Sequence, residues 1–106
     1  MNLKTDRYRK NRGGYSRLLN LYCRKCNRLI ATYQKDGPGN LRRLYLDRIS
    51  YPKELVGLQN QPLEKIKILN CKCGEMLGTP YIYKKENRKA YKLYQDSIIK
   101  KIKKLN

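Results

Sequence analysis

The sequence predicts a small, mainly β domain in which four cysteines join two distant parts of the chain. The cysteines form two tight pairs, Cys23-Arg-Lys-Cys26 and Cys71-Lys-Cys73. Segments rich in tyrosine, leucine and isoleucine follow each pair, and turn-forming residues separate them, as in successive β-hairpins. Phenylalanine and tryptophan are absent, so the apolar core is small. Together these features predict a compact β fold that needs a cross-link between its two halves.

The charge of the chain opposes its compaction. Lysine and arginine number 26 against 8 acidic residues, which gives a net charge of +18 over 106 residues. Self-repulsion at this charge destabilises the compact state, and one small domain with tails buries too little apolar surface to offset it well. Structural zinc contributes on the order of 10–16 kcal/mol of apparent binding free energy in small modules. A metal ion is therefore expected to decide whether the centre of the chain folds.

The cysteines have the number and pairing of a closed metal site. Four thiolates on two short hairpins complete a tetrahedral shell, and the chain has no histidine. Asn27 follows the first pair and Gly74 the second, and both residue types tolerate the left-handed backbone that closes a metal knuckle. No coordination position is left open, so the metal is expected to be structural. The predicted ligands of one Zn²⁺ are Cys23, Cys26, Cys71 and Cys73.

Three other interpretations of the cysteines compete with a metal site: two disulfides, free thiols and a C-x-x-C redox motif. A disulfide framework is typical of secreted chains, but the N-terminal segment has no apolar stretch of a signal peptide. A redox motif needs a βαβ setting, which the flanking sequence does not indicate. The second pair is C-x-C, and the gap from Cys26 to Cys71 exceeds that of the usual double C-x-x-C site. Ligand softness and number favour zinc over iron, which stays open as an alternative.

Residues 1–17 are expected to form a flexible basic arm. Six basic residues there face one acid, and a glycine pair interrupts any periodicity. Such a tail is solvated when it is free, or it orders along phosphates with its tyrosines stacked on unpaired bases. The second behaviour is favoured because the rest of the chain is also positively charged.

The core is expected over residues 18–94, with a connector at 50–63. A strand leads into the first knuckle, and the segment 29–35 alternates as a second strand. The turn at 36–40 should reverse the chain into a hairpin with the segment 41–49, whose leucines at 44 and 46 share one face. The connector contains two prolines and a glycine, and it allows one or two helical turns.

Similar elements surround the second cysteine pair. Alternation predicts a strand before Cys71 and a hairpin over residues 81–94, with its turn at Glu86-Asn87. A helix from about residue 84 onward is the rival prediction, because Tyr91 and the apolar residues after it also fit helical spacing.

The last segment, 95–106, is predicted to be a basic amphipathic tail. A short C-terminal helix would place Ile98, Ile102 and Leu105 on one face and the lysines on the other, with Asp96 as its N-cap. Because ten residues form only a marginal helix alone, the tail should dock on this protein or on a partner. A membrane surface is disfavoured as that partner because the apolar face lacks tryptophan and phenylalanine.

No pattern in the sequence indicates catalysis or a small-molecule substrate. The chain lacks histidine, paired carboxylates, an open metal position and a phosphate-binding glycine loop, so it is not expected to be an enzyme. No stretch approaches the length of a membrane span. The functional prediction must therefore come from charge.

Basic charge is spread over both tails and the first hairpin, which predicts binding to a polyanion through counterion release. A DNA reader would usually concentrate its contacts on one recognition helix, so the spread favours folded RNA that encloses the protein. Ten tyrosines add stacking surfaces. The predicted RNA contacts are Lys4, Arg7, Arg9, Lys10, Arg12, Arg17, Arg24, Lys25, Arg28, Arg42, Arg43, Arg48, Lys84, Lys85, Arg88, Lys89, Lys100, Lys101, Lys103 and Lys104.

With its cysteine quartet, the residues Asn27 and Gly74, and its long basic extensions, the chain resembles the small basic zinc-ribbon proteins of ribosomes. The resemblance implies a cytoplasmic, ribosome-associated component that binds ribosomal RNA through lysine and arginine, beside neighbouring ribosomal proteins, with zinc holding its core. The alternative is a transcription-associated zinc ribbon that binds RNA polymerase or DNA. Such a module usually contacts its protein partner through a more neutral or apolar face.

Overall fold

The fold consists of two four-stranded antiparallel sheets and one short helix. The computed structural model describes residues 3–104. Among these residues, no helix has the length and apolar content needed to cross a bilayer. In chain order the elements are α1 (Arg7–Asn11), β1 (Ser16–Cys23), β2 (Leu29–Asp36), β3 (Arg43–Tyr45), β4 (Ile49–Tyr51), β5 (Leu69–Asn70), β6 (Met76–Tyr83), β7 (Arg88–Leu93) and β8 (Ile98–Ile102).

The chain passes repeatedly between the two sheets. The first sheet has the strand order β4-β2-β1-β8, and the second has the order β3-β7-β6-β5. Thus β1 and β2 form a hairpin in the first sheet, β3 joins the second, β4 returns to the first, β5 to β7 build the second, and β8 completes the first. This exchange of strands ties both sheets into one domain, and the prediction of a mainly β fold is confirmed.

The core lies between the facing sides of the two sheets. Leu21, Leu44, Leu46 and Leu77 are fully buried there, with Tyr91 almost so. Burial of each such side chain contributes roughly 1.5–3 kcal/mol. The Tyr91 hydroxyl donates a hydrogen bond of 3.0 Å to the carbonyl of Lys67, so its polar end is satisfied. The predicted inward face with leucines at 44 and 46 is confirmed.

The segment 41–49 does not pair as predicted. Instead of one strand returning beside β2, it forms β3, a 3₁₀ turn at Leu46–Arg48 and the start of β4. β3 pairs with β7 in the second sheet, and only β4 pairs with β2. The turn interrupts the alternation after Leu46, so that one segment contributes a strand to each sheet. The alternation of residues in a sequence cannot predict this arrangement because it carries no information on the partner strand.

The hairpin over residues 81–94 is confirmed against its helical rival. β6 and β7 are antiparallel, with Tyr81 opposite Ala90 and Tyr83 opposite Arg88. Asn87 closes the turn with a φ of 51°, a left-handed conformation that asparagine tolerates. The connector contains 3₁₀ turns, the first of which, Lys53–Leu55, follows Pro52 as the sequence predicts.

The predicted C-terminal helix is wrong for residues 98–102, which form β8. This strand pairs with the open edge of β1, with Ile98 opposite Cys23 and Ile102 opposite Leu19. Backbone hydrogen bonds to β1 replace those of an isolated helix that would be marginal at this length. Leu105, the third residue of the predicted helical face, lies outside the described residues.

The N-terminal segment, predicted as a basic arm, contains α1 and contacts the end of β2. Asp6 caps α1 by accepting hydrogen bonds from the backbone amides of Tyr8 and Arg9. At Gly37, which has a φ of 71°, a Cβ atom would clash with the backbone carbonyl oxygen of Arg12. The segment therefore packs tightly against the end of β2, and Gly37 is required for that approach.

Candidate functional site

Each cysteine pair lies in a tight loop between two antiparallel strands. In the first loop, the amide of Asn27 donates to the carbonyl of Cys23 at 2.8 Å, and in the second the amide of Gly74 donates to the carbonyl of Cys71 at 2.9 Å. Asn27 has a φ of 64° and Gly74 a φ of 96°. The two loops thus share the predicted left-handed closure although one contains C-x-x-C and the other C-x-C.

The four sulfur atoms come together at one point between the sheets. All four Sγ atoms lie within 4.8 Å of one another, with Cys23–Cys73 at 3.7 Å and Cys26–Cys71 at 3.4 Å. Metal–sulfur bonds of about 2.3 Å in a tetrahedron place sulfur atoms about 3.8 Å apart, whereas a disulfide requires about 2.05 Å. The arrangement fits four ligands of one metal ion, and all four cysteines are free thiols in the structure.

Burial disfavours the thiolate form of Cys71 when no metal is bound. Cys23 and Cys71 are buried, and Cys26 and Cys73 are partly exposed. Desolvation, with further contributions from the neighbouring thiols, raises the pKa of Cys71 to about 12. A bound cation would reverse this preference because it favours the thiolate form. Exposed Arg24, Lys25 and Lys72 within the loops add positive charge beside the four sulfurs.

A second polar centre, here called the arginine–carboxylate cluster, lies at the opposite ends of β1 and β6. It consists of Arg12, Arg48 and Arg88 with Asp6, Asp36, Asp47 and Glu86. The side chain of Arg48 is 1% exposed, and its Nε donates to Asp36 at 2.9 Å while Nη1 donates to Asp6 at 3.0 Å. The hydrogen bond from Arg48 lowers the pKa of Asp6 to about 2.

Arg88 and Arg12 extend this cluster to the second sheet. Arg88 donates to Asp47 at 2.6 Å, and its guanidinium carbon lies 3.7 Å from the centre of the Tyr45 ring. Arg12 forms a two-pronged ion pair with Glu86, which lowers the pKa of that carboxyl although burial opposes the shift. The cluster therefore connects the N-terminal segment, β2 and β7.

Three of the predicted RNA contacts are paired with carboxylates in this cluster. Arg48 and Arg88 are buried and paired with carboxylates, so they are not available to a nucleic acid. Arg12 is held by Glu86 and by the Tyr45 hydroxyl at 2.7 Å. Sequence reasoning missed their acidic partners because these lie far along the chain: Asp6 is 42 positions from Arg48, and Glu86 is 74 positions from Arg12.

Most of the other predicted contacts lie on the surface. Arg9, Arg43 and Lys89 are partly buried. The Arg43 Nε donates to the Tyr81 hydroxyl at 2.9 Å, and the Lys89 amine donates to the carbonyl of Gln61 at 2.6 Å. The exposed ones are Lys4, Arg7, Lys10, Arg17, Arg24, Lys25, Arg28, Arg42, Lys84, Lys85, Lys100, Lys101, Lys103 and Lys104.

The internal cluster makes the outer surface more basic than the composition suggests. It contains three arginines and four carboxylates, half of the acidic residues in the chain. The residues outside the cluster carry 23 positive and 4 negative charges, so their net charge is +19. No family model, curated protein or solved structure matches this chain.

Proposed function

We propose that this protein is a zinc-stabilised RNA-binding module and that its partner is ribosomal RNA. The observation that carries the proposal is the distribution of charge: half of the carboxylates pair with arginines in the cluster, and most of the lysines and arginines remain exposed. A surface of this kind attracts phosphates from several directions, as expected of a protein enclosed by folded RNA. Zinc is proposed because four thiolates at tetrahedral spacing are one of the ligand sets of structural zinc sites.

The role proposed for the metal is structural. The four cysteines supply a complete tetrahedral shell, and Cys23 and Cys71 are part of the apolar core. A metal so placed holds the β1–β2 loop against the β5–β6 loop, which supports the surface without taking part in chemistry.

The proposal is tested by comparing affinities for structured ribosomal RNA, unrelated structured RNA and duplex DNA at one fixed salt concentration. We expect the ribosomal RNA to bind most tightly, with log affinity falling against log salt by about 0.7–0.9 for each phosphate contact. A control protein of similar net charge should show a comparable salt slope but no preference among the three. Co-sedimentation with ribosomal particles at high salt checks the native partner, and preference for one duplex DNA would contradict the assignment.

One observation favours the transcription-associated alternative. An open groove of about 1550 Å³, here called the apolar groove, runs between the edge strands β4 and β5 beside the cysteines. Leu29, Tyr51, Val56 and Ile68 line it and are each between 43% and 51% exposed. An apolar surface of this kind suits a protein partner. Identification of the macromolecule that co-purifies with the native protein, ribosomal particles or RNA polymerase, separates the two candidates.

A further inference from the structure

A second groove, here called the β3–β8 groove, is smaller than the apolar groove and has fewer aliphatic side chains in its wall. Both grooves are basic, since Arg28, Lys53, Lys65, Lys67 and Lys72 line the apolar groove together with Glu54. The β3–β8 groove has a volume of about 790 Å³ and runs between the edge of the second sheet and the strand β8. Four cationic side chains line it against one carboxylate, that of Asp96. They are Arg42, Arg43, Lys92 and Lys100.

The strand register brings two of these cations together. Arg43 of β3 is directly opposite Lys92 of β7, so the two positive charges are neighbours on the sheet. Lys100 contributes from β8 on the other wall. Like charges opposite each other destabilise a sheet, so an anion that bridges the two side chains is expected to stabilise this pair. Lys92 was not among the contacts predicted from the sequence.

Two tyrosines provide aromatic surfaces in the same groove. Tyr94 is 41% exposed, and Tyr81 lines the groove with its hydroxyl fixed by Arg43. The guanidinium carbon of Arg43 in turn lies 4.2 Å from the centre of the Tyr83 ring. The wall is therefore held in place before any ligand binds, which lowers the entropic cost of binding.

The groove continues into a smaller cavity with a buried lysine. This cavity has a volume of about 220 Å³, shares Arg42 and Arg43 with the groove, and contains Lys35, which is 7% exposed. The Lys35 amine donates to the carbonyls of Gly37 and Pro38. Desolvation is the largest cause of the lowered pKa of Lys35, and the nearby cations Lys100, Arg17 and Arg12 lower it further.

We propose that the β3–β8 groove binds an unpaired segment of RNA, with phosphates at Arg42, Lys92 and Lys100 and a base stacked on Tyr94. Alternation of cations and tyrosines is the pattern of sites that hold single-stranded nucleic acid. A duplex cannot present its bases to Tyr94 because they are already stacked. This inference rests on the proposed RNA-binding function and gives it a location.

The charge test uses two double variants that remove the same charge. Lys92→Gln/Lys100→Gln alters the β3–β8 groove, and Lys65→Gln/Lys67→Gln removes two exposed lysines that line the apolar groove instead. With a labelled ten-nucleotide oligouridine at about 0.1 M salt, we expect the first variant to bind at least about 10-fold more weakly and the control about 2-fold more weakly. The salt slope of the first variant should flatten by about 0.7 for each phosphate that it no longer neutralises.

The stacking test compares Tyr94→Leu with Tyr51→Leu, which alters a tyrosine that is 51% exposed in the apolar groove. We expect the first to weaken oligouridine binding about 5- to 100-fold and the second to leave it unchanged. Neither should alter binding of a ten-base-pair RNA duplex. Photo-crosslinking of a 4-thiouridine oligonucleotide to the unaltered protein should label Tyr94 or its neighbours.

The outcomes separate this proposal from the broader one. Equal weakening by the groove and control variants, or crosslinks spread over the whole surface, would overturn the groove while leaving RNA binding intact. Failure of the unaltered protein to bind any RNA would overturn both. Metal content and the unfolding temperature are measured for every variant, so that binding is compared only among folded proteins.

Discussion

The cysteine quartet and the arginine–carboxylate cluster perform the same task at opposite ends of the molecule. Both connect the two sheets where the apolar core ends, since β1 and β6 each have a cysteine loop at one end and a cluster residue near the other. The quartet offers four thiols that could bind one metal ion, whereas the cluster distributes its contacts over seven side chains. The two polar centres should therefore respond differently to substitution. Loss of one cysteine is expected to abolish the cross-link at the quartet, whereas loss of one ion pair should weaken the cluster only in part.

The largest effect is expected at the quartet. Cys71→Ser removes one thiolate, and we expect loss of the metal and of the cooperative fold, because the apparent binding free energy of about 10–16 kcal/mol rivals the whole stability of a small domain. Elemental analysis of the metal per chain and circular dichroism on heating measure the two losses.

The matched control for this change is Lys72→Ser, which alters the exposed residue between the two ligands. It should retain about one Zn²⁺ per chain and the unfolding temperature of the unaltered protein. A Cys71→Ser variant that keeps both metal and fold would refute a structural metal site, as would two disulfides found by mass spectrometry in native material.

An intermediate effect is expected at the centre of the cluster. Arg48→Ala leaves Asp36, whose side chain is 3% exposed, without its counter-ion, and such a loss costs about 3–5 kcal/mol. Denaturant unfolding of the metal-loaded protein measures the change, with Arg42→Ala as the control. Arg42 is exposed, so its removal should alter the free energy of unfolding by no more than about 0.5 kcal/mol. Equal effects of the two changes would mean that burial of Arg48 contributes nothing.

The smallest effect is expected at the rim of the cluster. Asp6→Asn removes an ion pair with Arg48 at a carboxylate whose side chain is 41% exposed, so solvent screening limits the loss to about 0.5–1 kcal/mol. The free energy of unfolding at pH 7 measures it, with Asp96→Asn as an exposed control outside the cluster.

The pH dependence of this small effect distinguishes the two polar centres. The lowered pKa of Asp6 means that its contribution is complete above its ordinary pKa of 3.8 and is lost only as the pH falls towards about 2. The difference between the unaltered protein and Asp6→Asn should therefore be the same at pH 7 and pH 5. Protons compete with the metal for thiolates at higher pH, so acid should release the metal before it disrupts the ion pair. An Asp6→Asn effect that vanishes between pH 7 and pH 5 would contradict this order.

Local sequence signals predicted the quartet well. The prediction rested on the spacing of the cysteine pairs, the absence of histidine and the residues Asn27 and Gly74. These signals describe loops of only a few residues, and the structure brings all four thiols together. Tyrosine and isoleucine content likewise predicted the β6–β7 hairpin, because cross-strand packing in a hairpin is also local.

Long-range partners could not be predicted in the same way. The segment that contains β3 and β4 alternates like one strand, but β3 pairs in the second sheet and β4 in the first. The apolar residues of β8 have helical spacing, but this strand pairs with the open edge of β1. Arg48 and Arg42 have the same side chain in the same segment, and only the position of Asp6 and Asp36 decides which of them is buried. A basic residue count therefore predicted the overall charge but not which charges face outward.

The pairing of β8 with β1 also bears on how quickly the domain forms. These strands are almost at opposite ends of the described chain, and every other strand lies between them. Loop-closure entropy grows only slowly with length, so the pairing costs little more at equilibrium than a shorter connection would. Kinetically the distance matters more, because folding slows as the contacts of the native state become less local. We therefore expect β8 to dock late, leaving the edge of β1 open in the forming protein until it arrives.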